Sequence, residues 1–373
     1  MRARQPGARH TDIAVWLAVV TAASFVIGTD FTRRRAPLDQ APVSAAEPLA
    51  VQLDRARERG RGRQASSPGR IPWRGWRDIL YRAYLGIIQH RLLAVAAGAV
   101  FYGILAIFPG ITALVSIYSL FASSAQIGHD LVLLSAIVPS EAIGIIGDQI
   151  DRIAAKGGGN LSLTFLFSLA LSLWSANSGA KAMFDALNVI YDETEKRSFV
   201  RLNLLSLTFT LGLLVFLMIA SAAVVAAPLI FHRFDVGHAT LLPVTALRWP
   251  LLFAIVTVGL SILYRFGPSR RPAKWRWVSL GSVVGAIAWL AGSAGFSWYL
   301  GHVADYNATY GSLGAAIGLM TWLWLSAIVV LLGAQLNAEV EHQTARDSTV
   351  GRVERPIGMR QAVMADTVGP AAQ

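Results

Sequence analysis

The segment Leu92–Gly128, LLAVAAGAVFYGILAIFPGITALVSIYSLFASSAQIG, runs for 37 residues without a charged side chain. A helix rises about 1.5 Å per residue and the hydrocarbon core of a bilayer is about 30 Å thick, so roughly 20 apolar residues make one crossing. No ordinary soluble helix needs so long a run. Pro109-Gly110 near its middle can kink one helix or end it. We read one kinked span over about 92–121, because the region holds no polar turn to separate two.

Six further charge-free windows flank it: Ile13–Thr29, Gly157–Ala180, Leu202–Phe231, Trp249–Tyr264, Trp277–Gly301 and Tyr306–Ala338. The first and the Trp249 window are the marginal ones for a full crossing. The composition agrees, with 54% hydrophobic and 15% charged residues against roughly a quarter charged in soluble domains. The expected fold class is therefore all-α, a polytopic membrane helix bundle. Cysteine is absent, which removes disulfide scaffolds, thiolate metal sites and cysteine nucleophiles together.

The net charge of +11 can signal nucleic acid, anionic lipid or cytoplasmic loops, and position decides among them. Residues 30–91 hold 13 Lys and Arg, 181–201 hold 4, 265–276 hold 5 and the tail from 339 holds 4. The alternate loops 129–156, 232–248 and 302–305 hold 2, 2 and none. Six core spans with both ends in the cytoplasm satisfy the positive-inside rule, so the expected topology is multi-pass with a cytoplasmic C-terminus.

The first window is then an addition. Retaining it as a seventh span puts Arg2, Arg4 and Arg9 outside, whereas cleaving it as a signal peptide puts the basic linker outside. We favour the retained span. The expected organisation is an N-terminal hydrophobic segment over 1–31, a disordered Arg/Pro/Ser-rich cytoplasmic linker over 32–73, a six-helix membrane domain over 74–345 and a disordered tail over 346–373. Residues 129–156, acidic with interleaved isoleucine and leucine, read as short amphipathic helices on the outer surface.

Four motifs occur in order. They are Ala106-Ile107-Phe108-Pro109, then Asp185-Ala186-Leu187-Asn188-Val189-Ile190-Tyr191. Next come Tyr264-Arg265-Phe266-Gly267-Pro268 leading to Trp275-Arg276-Trp277-Val278, and Tyr306 through Gly314 leading to Leu332-Gly333-Ala334-Gln335-Leu336-Asn337-Ala338-Glu339. Over roughly residues 74–342 this pattern resembles the YihY/BrkB family of bacterial inner-membrane proteins. The resemblance implies six helices with both ends cytoplasmic. Members were once labelled ribonuclease BN and have been linked to virulence and serum resistance, and no settled substrate or catalytic site comes with the name.

Enzyme constellations are sparse. Gly157-Gly158-Gly159 lacks the Lys-Ser or Lys-Thr of a phosphate loop, and Gly292-Ser293-Ala294-Gly295 lies inside an apolar helix where small residues permit packing. His232, Asp235 and His238 have imidazole and carboxylate spacing but no fourth ligand in view, so a solvated loop is the simpler reading. A nuclease would need clustered carboxylates or a histidine acid and base on a folded basic surface, which this chain lacks. We expect no catalytic residue, no metal, no cofactor and no nucleic-acid partner.

Polar side chains in hydrocarbon are costly, so those inside or at the ends of spans are the functional candidates. Asn177, Lys181 and Asp185, at i, i+4 and i+8, share one helix face, with Asn188 nearby. A cap with a local ion pair is the structural reading, and gating or headgroup contact the functional one. Tyr306, Asn307, Thr309, Tyr310 and Ser312 precede the last span, where backbone N–H groups at a helix start can bind anions or simply be capped.

Arg265, Arg270, Arg271, Lys274 and Arg276 form a loop suited to anionic headgroups. Gly281 and Gly285, with Gly311, Gly314 and Gly318, mark helix-packing faces, and Glu339 is placed to meet Arg265 or Arg276. The expected partners are membrane lipids and, for a scaffold, envelope-assembly proteins. Translocation of an amphipathic or anionic envelope molecule is the leading expectation and a non-transporting scaffold the alternative; the oligomeric state is open.

Overall fold

A computed structural model describes residues 47–118, 163–233, 238–302 and 313–372. Among these residues the regular elements are all helical, without strands. Two helices precede the bundle, α1 (Leu49–Ala56) and α2 (Trp73–Gln89), with a single 3-10 turn between them. Six long helices follow: α3 (Leu92–Tyr118), α4 (Leu163–Ile190), α5 (Phe199–Arg233), α6 (His238–Phe266), α7 (Trp275–His302) and α8 (Gly314–Gln343). A four-residue turn of helix, α9 (Val363–Asp366), lies in the tail.

The six long helices coincide with the six core windows. In hydrocarbon no water satisfies backbone N–H and C=O groups, so a chain this apolar must close its hydrogen bonds within helices. The shortest of the six has 27 residues, about 40 Å at 1.5 Å per residue, more than one crossing requires. Length and composition alone qualify α3, α5, α7 and α8 as membrane spans, and α6 contributes the shorter apolar stretch Pro250–Phe266. Helix α3 runs unbroken through Pro109, as a single span requires. Large apolar side chains stay exposed along these helices, among them Phe101, Phe108, Phe167, Phe216 and Val258, the pattern expected where lipid replaces water as solvent.

The chain forms two compact units. One is built on Leu105–Ala180 and Ser198–Ile230, the other on Ala41–Ile104, Lys181–Arg197 and Phe231–Gln373. The second unit has a continuous apolar core from Ile79, Leu92, Leu187, Tyr191, Tyr264, Trp277 and Leu331. Helices α7 and α8 approach closely because glycine faces glycine. A Cβ at Gly281 would strike the Gly333 carbonyl and the Asn337 side chain, and one at Gly333 would lie 2.5 Å from the Tyr264 hydroxyl. Asn337 fixes the contact, accepting from Gly281 N at 2.7 Å and donating to Val278 O at 3.0 Å. Gly285 also serves this seam, whereas no described residue comes within 4 Å of a Cβ at the buried Gly318. Gly314 is buried at the first residue of α8, and Gly311 lies outside the described residues.

Two expectations of disorder need correction. Residues 47–73 of the expected linker and 346–372 of the expected tail are ordered and packed together on the second unit. The Arg63 side chain is buried, and its carbonyl accepts from Ala345 N at 2.7 Å. Lys274 N donates to Ser348 O and Val350 N to Pro272 O, forming an isolated bridge between Ala273 and Thr349. The Arg360 guanidinium holds carbonyls of Ala345, Arg346 and Ala365, while its Nε holds that of Arg355. Compositional reasoning counts the apolar area a segment could bury by itself. It misses segments stapled to a neighbouring core by arginines and main-chain bonds. The remainder of the linker, residues 32–46, the N-terminal window and the 129–156 segment lie outside the described residues.

Candidate functional site

Two polar clusters stand out, one in each unit. In the first, α4 and α5 meet across a polar seam inside otherwise apolar helices. Asn203, Ser206 and Thr210 repeat at i, i+3 and i+7 along one face of α5, and all three are buried. Asn177 of α4 is wholly buried, and its Oδ1 accepts from Thr210 Oγ1 at 3.4 Å. The hydroxyls of Ser206 and Thr210 donate back to carbonyls one turn earlier, Leu202 and Ser206. Among the described residues, Asn177 Nδ2 and Asn203 Oδ1 find no hydrogen-bond partner. A buried donor and a buried acceptor left unpaired each cost about 1–3 kcal/mol, so these two amides are the costly points of the seam.

The second cluster lies at the ends of α2, α4 and α8. Gln335, Glu339 and Gln343 follow at i, i+4 and i+8 on α8 and turn towards α2. Arg82 Nε donates to Glu339 Oε2 at 2.7 Å and its Nη2 to Gln343 Oε1 at 2.8 Å, while its Nη1 reaches Pro370 O. His90, in the turn between α2 and α3, bonds Gln335 Oε1 through Nδ1 at 2.9 Å and lies 3.3 Å from Asp192 through Nε2. Burial alone would lower the His90 pKa, but the bond and charge of Asp192, with Gln335, hold it above its ordinary value. Burial opposes the Asp78 carboxylate too, yet Arg61 and the Ala372 N–H hold its pKa below the usual range.

Glu341, between these positions, points to the α6–α7 loop instead. Arg270 grips it with two bonds of 2.9 and 2.7 Å, both side chains having no exposed area. Ser348 Oγ donates to the same carboxylate at 2.8 Å, and the guanidinium stacks 4.1 Å from the Tyr191 ring centroid. Glu193, close by, is pushed up by burial more than Lys196 and the Val363 N–H can offset.

The expected site residues divide accordingly. Helix α4 runs through Asn177, Lys181 and Asp185 as their spacing requires, with Asn177 in the first unit and the half-buried Lys181 and Asp185 in the second. Asn188 staples the loop after α6, its Oδ1 accepting from Ser269 N at 2.7 Å. Tyr306, Asn307, Thr309, Tyr310 and Ser312 lie outside the described residues, as does Asp235 of the histidine motif.

The basic loop is largely committed to internal bonds. Arg270 is sealed against Glu341 and is withdrawn from headgroup contact. Arg271 donates to Val350 O, Lys274 to Asp347 O, and Arg265 to Ala273 O while lying over Trp275. Arg276 alone of the five is exposed. Glu339 pairs with Arg82, where Arg265 or Arg276 had been expected. Sequence reasoning missed Arg82, His90 and Gln343, although the four-residue rhythm of Gln335, Glu339 and Gln343 in the last turns of an apolar helix was a usable signal. Among the described residues no group of three or more His, Asp or Glu side chains is placed to hold a metal ion.

Comparison with known proteins assigns the family. The sequence model of the family described as virulence factor BrkB matches residues 83–357. The ribonuclease-like protein YfkH of Bacillus subtilis (strain 168) is 30% identical over 65% of this chain and 88% of its own length. A UPF0761 membrane protein of Pseudoalteromonas atlantica is 25% identical over 74% of this chain and 91% of its own. Another, from Vibrio parahaemolyticus, is 30% identical over 70% and 82%. No solved structure matches the chain. With its long apolar helices and a match covering most of its length, the chain is a multi-pass membrane protein that belongs to the virulence factor BrkB family.

Proposed function

We propose that this protein is a non-enzymatic protein of the bacterial inner membrane, its C-terminus cytoplasmic, that translocates an amphipathic or anionic envelope molecule such as a lipid or lipid-linked precursor. The observation that carries the reading is the seam of α4 and α5. Polar side chains inside membrane helices are costly and usually serve a pathway or a partner, and here Asn177 Nδ2 and Asn203 Oδ1 are buried without a bond to any described residue. Asn203, Ser206 and Thr210 extend the polar line over two turns of α5, the geometry that would pass a headgroup from one donor or acceptor to the next. Lys181, on the same helix as Asn177, supplies a cation for an anionic cargo. The orientation rests on the arginine-rich linker, the α6–α7 loop and the tail, which the positive-inside rule assigns to the cytoplasm.

The test is dithionite quenching of fluorescent phosphatidylglycerol and phosphatidylethanolamine in proteoliposomes, comparing wild type with Asn177→Leu and Lys181→Ala. Outer-leaflet quenching that proceeds past half the label in wild type, and stops at half in Asn177→Leu, supports translocation. Quenching that stops at half for every lipid, in wild type as in protein-free vesicles, supports the second reading, a non-transporting scaffold for envelope assembly. The sealed Arg270–Glu341 and Arg82–Glu339 pairs favour that alternative, because ion pairs buried so completely suit a rigid platform.

A further inference from the structure

Helix α2 has its polarity inverted. At about 100° per residue, Trp73, Leu80, Tyr81, Tyr84 and Ile88 fall on one face, and that face is the exposed one: Trp73 is 75% exposed, Tyr84 62% and Ile88 62%. The opposite face, Gly75, Asp78, Ile79, Arg82 and Gly86, is buried. A helix on a water-facing surface turns its apolar stripe inward and its charges outward. Here the charges Asp78 and Arg82 are inside, each fully paired, Asp78 with Arg61 and the Ala372 N–H, Arg82 with Glu339, Gln343 and Pro370 O. The glycines seat it: a Cβ at Gly75 would strike the Arg61 carbonyl and one at Gly86 the Gln335 amide.

We infer that α2 is an interfacial helix, lying in the headgroup boundary of the bilayer with its aromatic stripe in contact with anionic phospholipid. Three observations select lipid as the occupant. First, α2 ends at Gln89 and the membrane helix α3 begins at Leu92, so the end of α2 sits where the chain enters the bilayer, and the exposed Ile88 continues into the exposed Leu93 and Phe101 of α3. Second, the stripe is rich in tryptophan and tyrosine, the residues that favour the membrane–water boundary. Third, the charges α2 and its flanking turn present outward are all positive. Arg74, Arg77 and Arg91 are exposed while the acid of the helix, Asp78, is buried. Arginines beside and between apolar anchors can run their stems along the stripe and hold their guanidinium groups among phosphates. This inference needs only that the chain is in a membrane, and stands whether or not the protein translocates anything.

The absence of cysteine makes the test direct. Single cysteines are placed at Leu80, Tyr84 and Ile88, and at Val353 as a water-exposed control, in the full chain. Each is spin-labelled and reconstituted into vesicles of phosphatidylcholine with 30 mol% phosphatidylglycerol. Collision with oxygen and with a water-soluble nickel complex then reports depth. The expected result is high oxygen and low nickel accessibility at 80, 84 and 88, with the reverse at 353. Nickel accessibility at all three stripe positions would overturn the inference in favour of an aqueous face. Protection from both probes would overturn it in favour of a protein partner. The charge component is read separately, as phosphatidylglycerol enrichment among lipids co-purifying with wild type and with an Arg74→Gln/Arg77→Gln variant. Each arginine near an anionic surface contributes about five-fold, so enrichment should fall several-fold, and unchanged enrichment would overturn the anionic preference. These positions are exposed, and monodisperse elution of each variant establishes that it is folded before labelling.

Discussion

Glu341→Gln is the most informative single substitution for the stability of the polar end. Arg270 and Glu341 share two short bonds with no exposed area on either side chain. Neutralising Glu341 keeps an acceptor for Ser348 but leaves the guanidinium, which burial disfavours and its carboxylate neighbours hold charged, without its counter-ion. Breaking a buried pair from one side costs about 3–5 kcal/mol, whereas replacing both partners by apolar groups of similar volume is often neutral. Arg270→Met/Glu341→Leu should therefore recover most of the loss, with methionine retaining contact with the Tyr191 ring 4.1 Å away. Unfolding by sodium dodecyl sulfate titration in mixed micelles, followed by circular dichroism, gives the free energies for the full double-mutant cycle. The exposed Arg57–Asp54 pair at 3.7 Å is the control and should show no measurable change. A Glu341→Gln cost below about 1 kcal/mol, or a double variant as unstable as the two single losses combined, would refute the reasoning.

Three other outcomes follow from the same structure. Gly333→Ala should destabilise by about 1–3 kcal/mol through overpacking against Tyr264 and the Gly281 carbonyl, whereas Gly318→Ala, with no described residue within 4 Å of its added Cβ, should stabilise α8 by about 0.5–1 kcal/mol; thermal unfolding in detergent separates the two. His90 and Glu193 both have raised folded-state pKa values, so their contributions are complete below the unfolded values and are lost as pH rises through the folded ones. Thermal stability should fall as pH climbs above the ordinary histidine value of 6.5, and His90→Gln should flatten that slope; an unchanged slope would exclude His90 as its source. Limited trypsin digestion should spare Arg360, which is buried against its carbonyl partners, at times when the exposed Arg352 is cut, and cleavage at Arg360 as fast as at Arg352 would contradict the packing of the tail.

The bundle was legible in the sequence because its signal is physical and strong. Charge-free windows of crossing length leave helices as the solution open to such a chain in lipid, and the six windows reappear as α3 to α8. The polar ends were less legible. Asn177 could be found because an amide in an apolar helix is conspicuous, but its partner Thr210, like Ser206 on the same face of α5, is an ordinary residue in a membrane helix until that face is known. Glu339 pairs with Arg82 and not with the expected Arg265 or Arg276, since periodicity orders residues along one helix and says nothing of which other helix arrives. Arg82 and Asp78 escaped for the opposite reason. They lie outside the long charge-free windows and match no motif in the sequence, and only the inversion of α2 shows them turned inward. The linker and tail fold for the same reason, each stapled to the other and to α8 by bonds between residues almost 300 positions apart, such as Ala372 N to Asp78 and Gln343 Nε2 to Arg61 O.

The account rests on the α4–α5 seam being a path for polar groups, and its wetting can be measured without knowing the cargo. In the cysteine-free chain, single cysteines at Ser206 and Thr210 are compared with cysteines at the lipid-exposed Leu211 and Leu213 for reaction with a membrane-impermeant thiol reagent in sealed proteoliposomes. Modification at 206 and 210, with none at 211 and 213, is the result expected of a seam that opens to water. Equal silence at all four positions would contradict it and leave the seam as packing.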